Sequence, residues 1–141
     1  MKKILIINAN YYDEITIKLL QEAKKILKRN KINLSIKYVK GVFEIPIAIR
    51  KNINKFDAFV ALGCVIKGKT PHFDFICRSA FDAIMNLSIK YNKPIGNGII
   101  TALNKKQAYE RCGKIKSSKN NKGREAAKAV LSILNNGTKK I

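Results

Sequence analysis

The chain has 141 residues, 46% of them apolar, which suits one domain spanning 1–141 with a buried core and excludes two large catalytic domains. No apolar run approaches the roughly 20 residues of a membrane span. Met1-Lys2-Lys3 leads only into Ile4 to Ile7 before polar residues intervene, so neither a spanning helix nor a signal peptide is expected. Twenty-nine Lys and Arg against nine Asp and Glu give a net charge of +20, which brings nucleic acid, anionic membranes and phosphorylated substrates into view. Lys (24), Ile (22) and Asn (14) are all specified by A/T-rich codons, so codon usage alone can inflate that charge. The lysines are scattered along the chain, which argues against nucleic acid as the main partner. Cys64, Cys77 and Cys112 form no close pair and no metal-ligand spacing, pointing to reduced thiols and a cytoplasmic location.

Strand and helix patterns alternate along the chain. Lys3 to Ala9 is a nearly continuous apolar run, as in a strand buried on both faces. Asp13 is a candidate cap for a helix carrying Ile15, Leu19, Leu20, Ala23, Ile26 and Leu27 at helical spacing and ending on Lys28 to Lys31. Leu34 to Val39 reads as a second strand, followed after Gly41 by a helix with Pro46 in its first turn that runs to about Ile53. Ala58 to Ile66 reads as a central strand, and its helix carries Phe73, Ile76, Cys77, Ala80, Ile84 and Leu87 on one face. Ile95 to Thr101 completes the strands, Lys105 to Arg111 forms a short helix, and Glu125 to Leu134 a last amphipathic one. The polar stretch Lys114 to Lys122, with Ser117, Ser118, Asn120 and Asn121, reads as one mobile surface loop. Four β-α units imply a three-layer α/β/α sandwich around a four-stranded parallel sheet.

Open sheets of this kind bind ligands beyond the carboxyl ends of their strands, and the polar oddities gather there. The first strand exits into Asn8 to Tyr12, the second into Gly41-Val42-Phe43-Glu44, the third into Lys67 to His72, and the fourth carries Asn97, Gly98 and Thr101. At the third exit, Thr70 as N-cap and Pro71 at the first helical position would leave free amides beside Lys67 and Lys69, a place for phosphate. Thr-Pro is also an ordinary helix start. Gly63 to Thr70 satisfies the P-loop spacing, which raises a nucleotide-binding phosphotransferase as an alternative, yet Cys64-Val65-Ile66 continues an apolar strand where that loop needs small, flexible residues. His72, the sole histidine, suits proton transfer near neutral pH, although a lone histidine is often structural. Two residues apart on a helix, His72 and Asp74 do not share a face. Glu44 reads either as a first-turn carboxylate or as a partner for ligand hydroxyls and amines, and Tyr11 or Tyr12 offers an aromatic face.

In order, Ala9-Asn10-Tyr11-Tyr12-Asp13, Gly41 to Pro46, Ala61 to Asp74, Pro94 to Thr101, Gln107 to Arg111 and Asn121-Lys122-Gly123 resemble the 6,7-dimethyl-8-ribityllumazine synthase family over essentially the whole chain. The resemblance implies a flavodoxin-like fold. It also implies condensation of 5-amino-6-(D-ribitylamino)uracil with 3,4-dihydroxy-2-butanone 4-phosphate, the penultimate step of riboflavin biosynthesis, with no metal or redox cofactor. By the same resemblance His72 is the general acid/base, and Tyr11, where the family commonly has Phe, stacks on the pyrimidine. Val42, Phe43 and Glu44 contact the ring and ribityl chain, Cys64, Val65 and Ile66 line the pocket, and Lys69, Thr70, Arg111 and Lys122 serve the phosphate. Family sites form between subunits, so Asn97, Arg111 and Lys122 are expected from the adjacent chain. Asn10 replaces a usual Arg and Asn97 a frequent aromatic. A longer stretch between Arg111 and Asn121 than in members with a Gly-rich turn predicts a pentamer, or pentamers stacked in pairs, rather than an icosahedral shell. The expected partners are thus small molecules and further copies of the chain, with neither nucleic acid nor membrane; a basic nucleic-acid-binding module is the remaining alternative.

Overall fold

A computed structural model describes residues 1–115, 119–135 and 140–141. The elements are β1 (Lys3–Ala9), α1 (Asp13–Lys28), β2 (Asn33–Val39), a 3-10 turn (Val42–Glu44), α2 (Ile45–Lys51), β3 (Ala58–Ile66), α3 (His72–Tyr91), β4 (Ile95–Ala102), α4 (Lys105–Arg111) and α5 (Lys122–Asn135). The strands form one parallel sheet in the order β2-β1-β3-β4. Helices cover both faces of this flavodoxin-like α/β/α sandwich, as expected for successive β-α units.

The continuous apolar reading of β1 and β3 has a direct cause: alternate side chains leave opposite faces, and both faces are covered. Ile4, Ile6, Val60 and Leu62 pack under α1 and α5 with Ile15, Leu19, Leu27, Ala126 and Val130. Leu5, Ile7, Phe59 and Ala61 meet Ile45, Ile49 and Ile84 from α2 and α3 on the other face. Two polar side chains in this interior, Asn8 and Thr16, have oxygens with no hydrogen-bond partner among the described residues.

Three boundaries depart from expectation. Asp13 is the first residue of α1 rather than its cap; Tyr12 occupies the cap position, and Asp13 and Glu14 supply first-turn carboxylates instead. The helix after β2 does carry Pro46 in its first turn, but a separate 3-10 turn, Val42–Glu44, precedes it and α2 stops at Lys51 rather than near Ile53. α5 begins at Lys122, not Glu125. There Asn121 is buried rather than displayed on a surface loop, at 3% exposure. Its Oδ1 accepts from Arg124 N at 3.0 Å, the N-cap bond, while Nδ2 donates to Cys112 O at 2.9 Å and Lys18 O at 3.3 Å. Ser117 and Ser118 lie outside the described residues. Among the described residues no helix is long and apolar enough to cross a membrane.

Candidate active site

β1 connects sideways to β2 and β3 connects the opposite way to β4, so the carboxyl ends of β1 and β3 flank a topological switch point. A cleft of ≈ 590 Å³ opens there, lined by Tyr11, Tyr12, Gly41, Val42, Phe43, Glu44, Cys64, Val65, Ile66, His72 and Ile76. Eight of the thirteen expected site residues therefore meet in one cavity: Tyr11, Val42, Phe43, Glu44, Cys64, Val65, Ile66 and His72.

Local chemistry explains each wall. Asn10 N donates to Val39 O at 3.0 Å, holding the exit of β1 beside β2 and presenting Tyr11 at 76% exposure. The Tyr11 and Tyr12 rings meet edge to face, centroids 5.0 Å apart and planes at 85°. In the β2 exit, Glu44 N donates to Gly41 O at 3.1 Å and the Glu44 carboxylate accepts from Gly41 N at 3.0 Å. One carboxylate oxygen is thereby committed to the backbone, which fixes the side chain at the cleft. Val42 is buried while Phe43 stands exposed. Cys64 forms part of the apolar floor, and burial pushes its thiol up to about 12, so it stays protonated.

The third exit corrects the expected cap of α3. Thr70 does not cap α3: the helix begins at His72, and Asp74 N and Phe75 N both bond to Pro71 O, at 3.1 and 3.3 Å. Thr70 Oγ1 accepts from His72 N at 3.5 Å, a long contact. Lys69 and Thr70 are exposed beyond the cleft rather than in its walls. The helix start still leaves first-turn amides without intrahelical partners. The P-loop alternative fails on geometry, since Gly63 to Ile66 run inside β3, paired in register with Ile99 to Ala102 of β4. Gly63 answers a packing need: a Cβ there would lie 2.7 Å from Val42 Cγ2.

Asn97, Arg111 and Lys122 are not brought to this cleft. They line a second cavity of ≈ 310 Å³ beside the edge strand β4, with Phe81, Thr101 and Glu125 among its other walls, and the two cavities share no residue. Asn97 Oδ1 accepts from Ile99 N at 3.0 Å, which sets the amide so that Nδ2 is the group left to donate. The Arg111 guanidinium lies 3.5 Å from Thr101 O, and Lys122 pairs loosely with Glu125 at 3.8 Å.

Sequence reasoning missed Ile76 as a wall and left Tyr12 an alternative to Tyr11, whereas both tyrosines line the cleft. Ile76 was legible as the residue one helical turn after His72. Asn121 was legible as an N-cap type residue, but the polar Lys122-Gly123-Arg124 after it read as loop. Among the described residues no group of three or more His, Cys, Asp or Glu is placed to hold a metal.

The sequence matches the family model described as 6,7-dimethyl-8-ribityllumazine synthase over residues 1–137. Proteins bearing that name are similar along nearly their full length. The Campylobacter curvus protein is 41% identical over 139 residues, covering 95% of this chain and 87% of the relative. The Aliarcobacter butzleri protein is 40% identical, covering 94% and 86%. The Bartonella bacilliformis protein is 38% identical, covering 93% and 87%.

Proposed function

The chain belongs to the 6,7-dimethyl-8-ribityllumazine synthase family, and on that premise we propose that the cleft at the β1/β3 switch point is half of its catalytic centre. The enzyme is a transferase of riboflavin biosynthesis: it condenses 5-amino-6-(D-ribitylamino)uracil with 3,4-dihydroxy-2-butanone 4-phosphate and releases phosphate and water. The observation that carries the assignment is His72 on the wall of a cavity otherwise built from Tyr11, Val42 to Glu44 and Cys64 to Ile66.

The chemistry asks for three things from these residues. A flat heteroaromatic substrate needs a stacking face, which Tyr11 supplies, and apolar walls, which Val42, Val65 and Ile66 supply. Ribityl hydroxyls need acceptors, and Glu44 keeps one carboxylate oxygen for them while Gly41 N holds the other. Imine formation, phosphate elimination and ring closure each move a proton, and His72 supplies the imidazole in the cleft that can give and take one. The protonated Cys64 thiol is a wall, not a nucleophile.

Phosphate would sit between the amides and side chains of Lys69 and Thr70 and the cations Arg111 and Lys122. In this reading Arg111, Lys122 and Asn97 come from the neighbouring subunit of a pentamer, or of pentamers stacked in pairs, because within one chain they line a separate cavity. Asn97 Nδ2, freed by the bond of Oδ1 to Ile99 N, donates to a pyrimidine carbonyl where other members stack an aromatic. The test is lumazine formation, followed by absorbance and fluorescence, from both substrates against an enzyme-free control. Saturable acceleration needing both substrates is expected, and folded oligomer that gives none would overturn the proposal.

A further inference from the structure

Tyr11 presents a problem that its neighbour solves. A ring 76% exposed at the end of a strand has rotamer freedom, and a ligand that stacks on it must pay to order it. The ring contact Tyr11 makes among the described residues is with Tyr12, edge to face at 5.0 Å. Tyr12 is anchored where Tyr11 is not. Its carbonyl accepts the first two bonds of α1, from Ile15 N and Thr16 N at 3.0 Å each, and its ring packs against the core beneath α1 and α5. Burial raises its phenol above the ordinary value, as do the neighbouring Tyr11 and Cys64, so the ring stays neutral.

We propose that Tyr12 is a positioning residue that braces the Tyr11 ring in the orientation that stacks on the aminopyrimidine substrate. The proposal rests on the reading of Tyr11 as the stacking face. It follows from a juxtaposition: a half-buried ring fixed to a helix start, standing on the cleft wall against an exposed ring that makes no other ring contact among the described residues of the chain.

Tyr12→Leu keeps apolar bulk against the core but removes the ring edge. The KM for the aminopyrimidine should rise roughly three- to tenfold, the range an aromatic pair supports, while kcat and the KM for the phosphorylated ketone stay within about twofold. Tyr12→Phe keeps the edge and should behave as the parent. Because Tyr12 acts through Tyr11, the Tyr11→Leu/Tyr12→Leu double variant should be no worse than Tyr11→Leu alone. In ligand-free protein, relaxation of an isotopically labelled Tyr11 ring should report faster motion in Tyr12→Leu and not in Tyr12→Phe. That readout needs no turnover, so it tests the brace even where the synthase assay fails. Additive losses in the double variant, a Tyr12→Phe as weak as Tyr12→Leu, an unchanged aminopyrimidine KM, equal rises in both KM values, or a Tyr11 ring no more mobile without Tyr12 would each overturn the proposal.

Discussion

Mixing two impaired variants tests how the site is assembled. His72 lines the β1/β3 cleft and Arg111 lines the β4 cavity, and the two cavities have no wall in common. If each site takes its cleft from one subunit and its Arg111 from the next, the variants His72→Ala and Arg111→Ala damage opposite halves. Removing His72 should cost about 100-fold through general acid/base catalysis. Removing Arg111 deletes a charge-assisted contact of about 1.5–3 kcal/mol, roughly ten- to hundredfold in kcat/KM. In a ring assembled from a one-to-one mixture, a site is intact when its cleft comes from an Arg111→Ala chain and its neighbour is a His72→Ala chain. Each condition holds half the time, so about a quarter of sites recover whatever the size of a closed cyclic ring. Subunit exchange followed by native mass spectrometry would verify mixing, and lumazine formation at subsaturating ketone phosphate would read recovery. Activity that stays at the mean of the two parents despite proven mixing refutes the shared site.

Three further outcomes follow from the packing and the charges. Gly123→Ala gains about 1 kcal/mol of helix propensity, but its Cβ would lie 2.2 Å from Leu19 O, a backbone atom that cannot swing aside, so a net loss of about 1–2 kcal/mol is expected in denaturant melts; an unchanged midpoint would refute the close α1–α5 approach. Burial raises the thiols of Cys64, Cys77 and Cys112, Cys64 to about 12, so alkylation of folded protein near pH ~7.5 should leave Cys64 and Cys112 unmodified by intact mass while denatured protein reacts fully; rapid labelling of Cys64 with loss of activity would contradict this. The Lys25 hydrogen bond, reinforced by Arg124, holds the Glu22 carboxyl below its ordinary 4.5. A depressed carboxyl stabilises the fold above its unfolded pKa and loses that contribution as pH falls through the folded value, so Glu22→Gln should lower the melting temperature near pH ~7 and match the parent near pH ~3. A deficit that persists in acid would assign the effect to packing instead.

Much of this protein is written in its sequence through periodicity. Ala58–Ile66 and Lys105–Arg111 emerge with the bounds expected of them, because an unbroken apolar run suits a strand covered on both faces and a short spaced pattern suits a surface helix. The family is equally legible, since blocks such as Ala9 to Asp13, Gly41 to Pro46 and Lys67 to His72 sit at or just past strand ends, where residue identity answers to chemistry more than to packing. What eluded sequence reasoning depends on contacts between distant segments. The start of α5 is set by Asn121, whose side chain reaches Lys18 O and Cys112 O, and by Gly123, which lets α5 approach the backbone of Leu19. Neither partner is visible from the polar run Asn121 to Arg124 itself. The tertiary structure likewise decided that His72 and Arg111 belong to different cavities and that the Tyr11 and Tyr12 rings meet edge to face on one wall of the cleft. Local propensity is summed over a few neighbouring residues, whereas a cavity is bounded by whichever elements the sheet order places side by side.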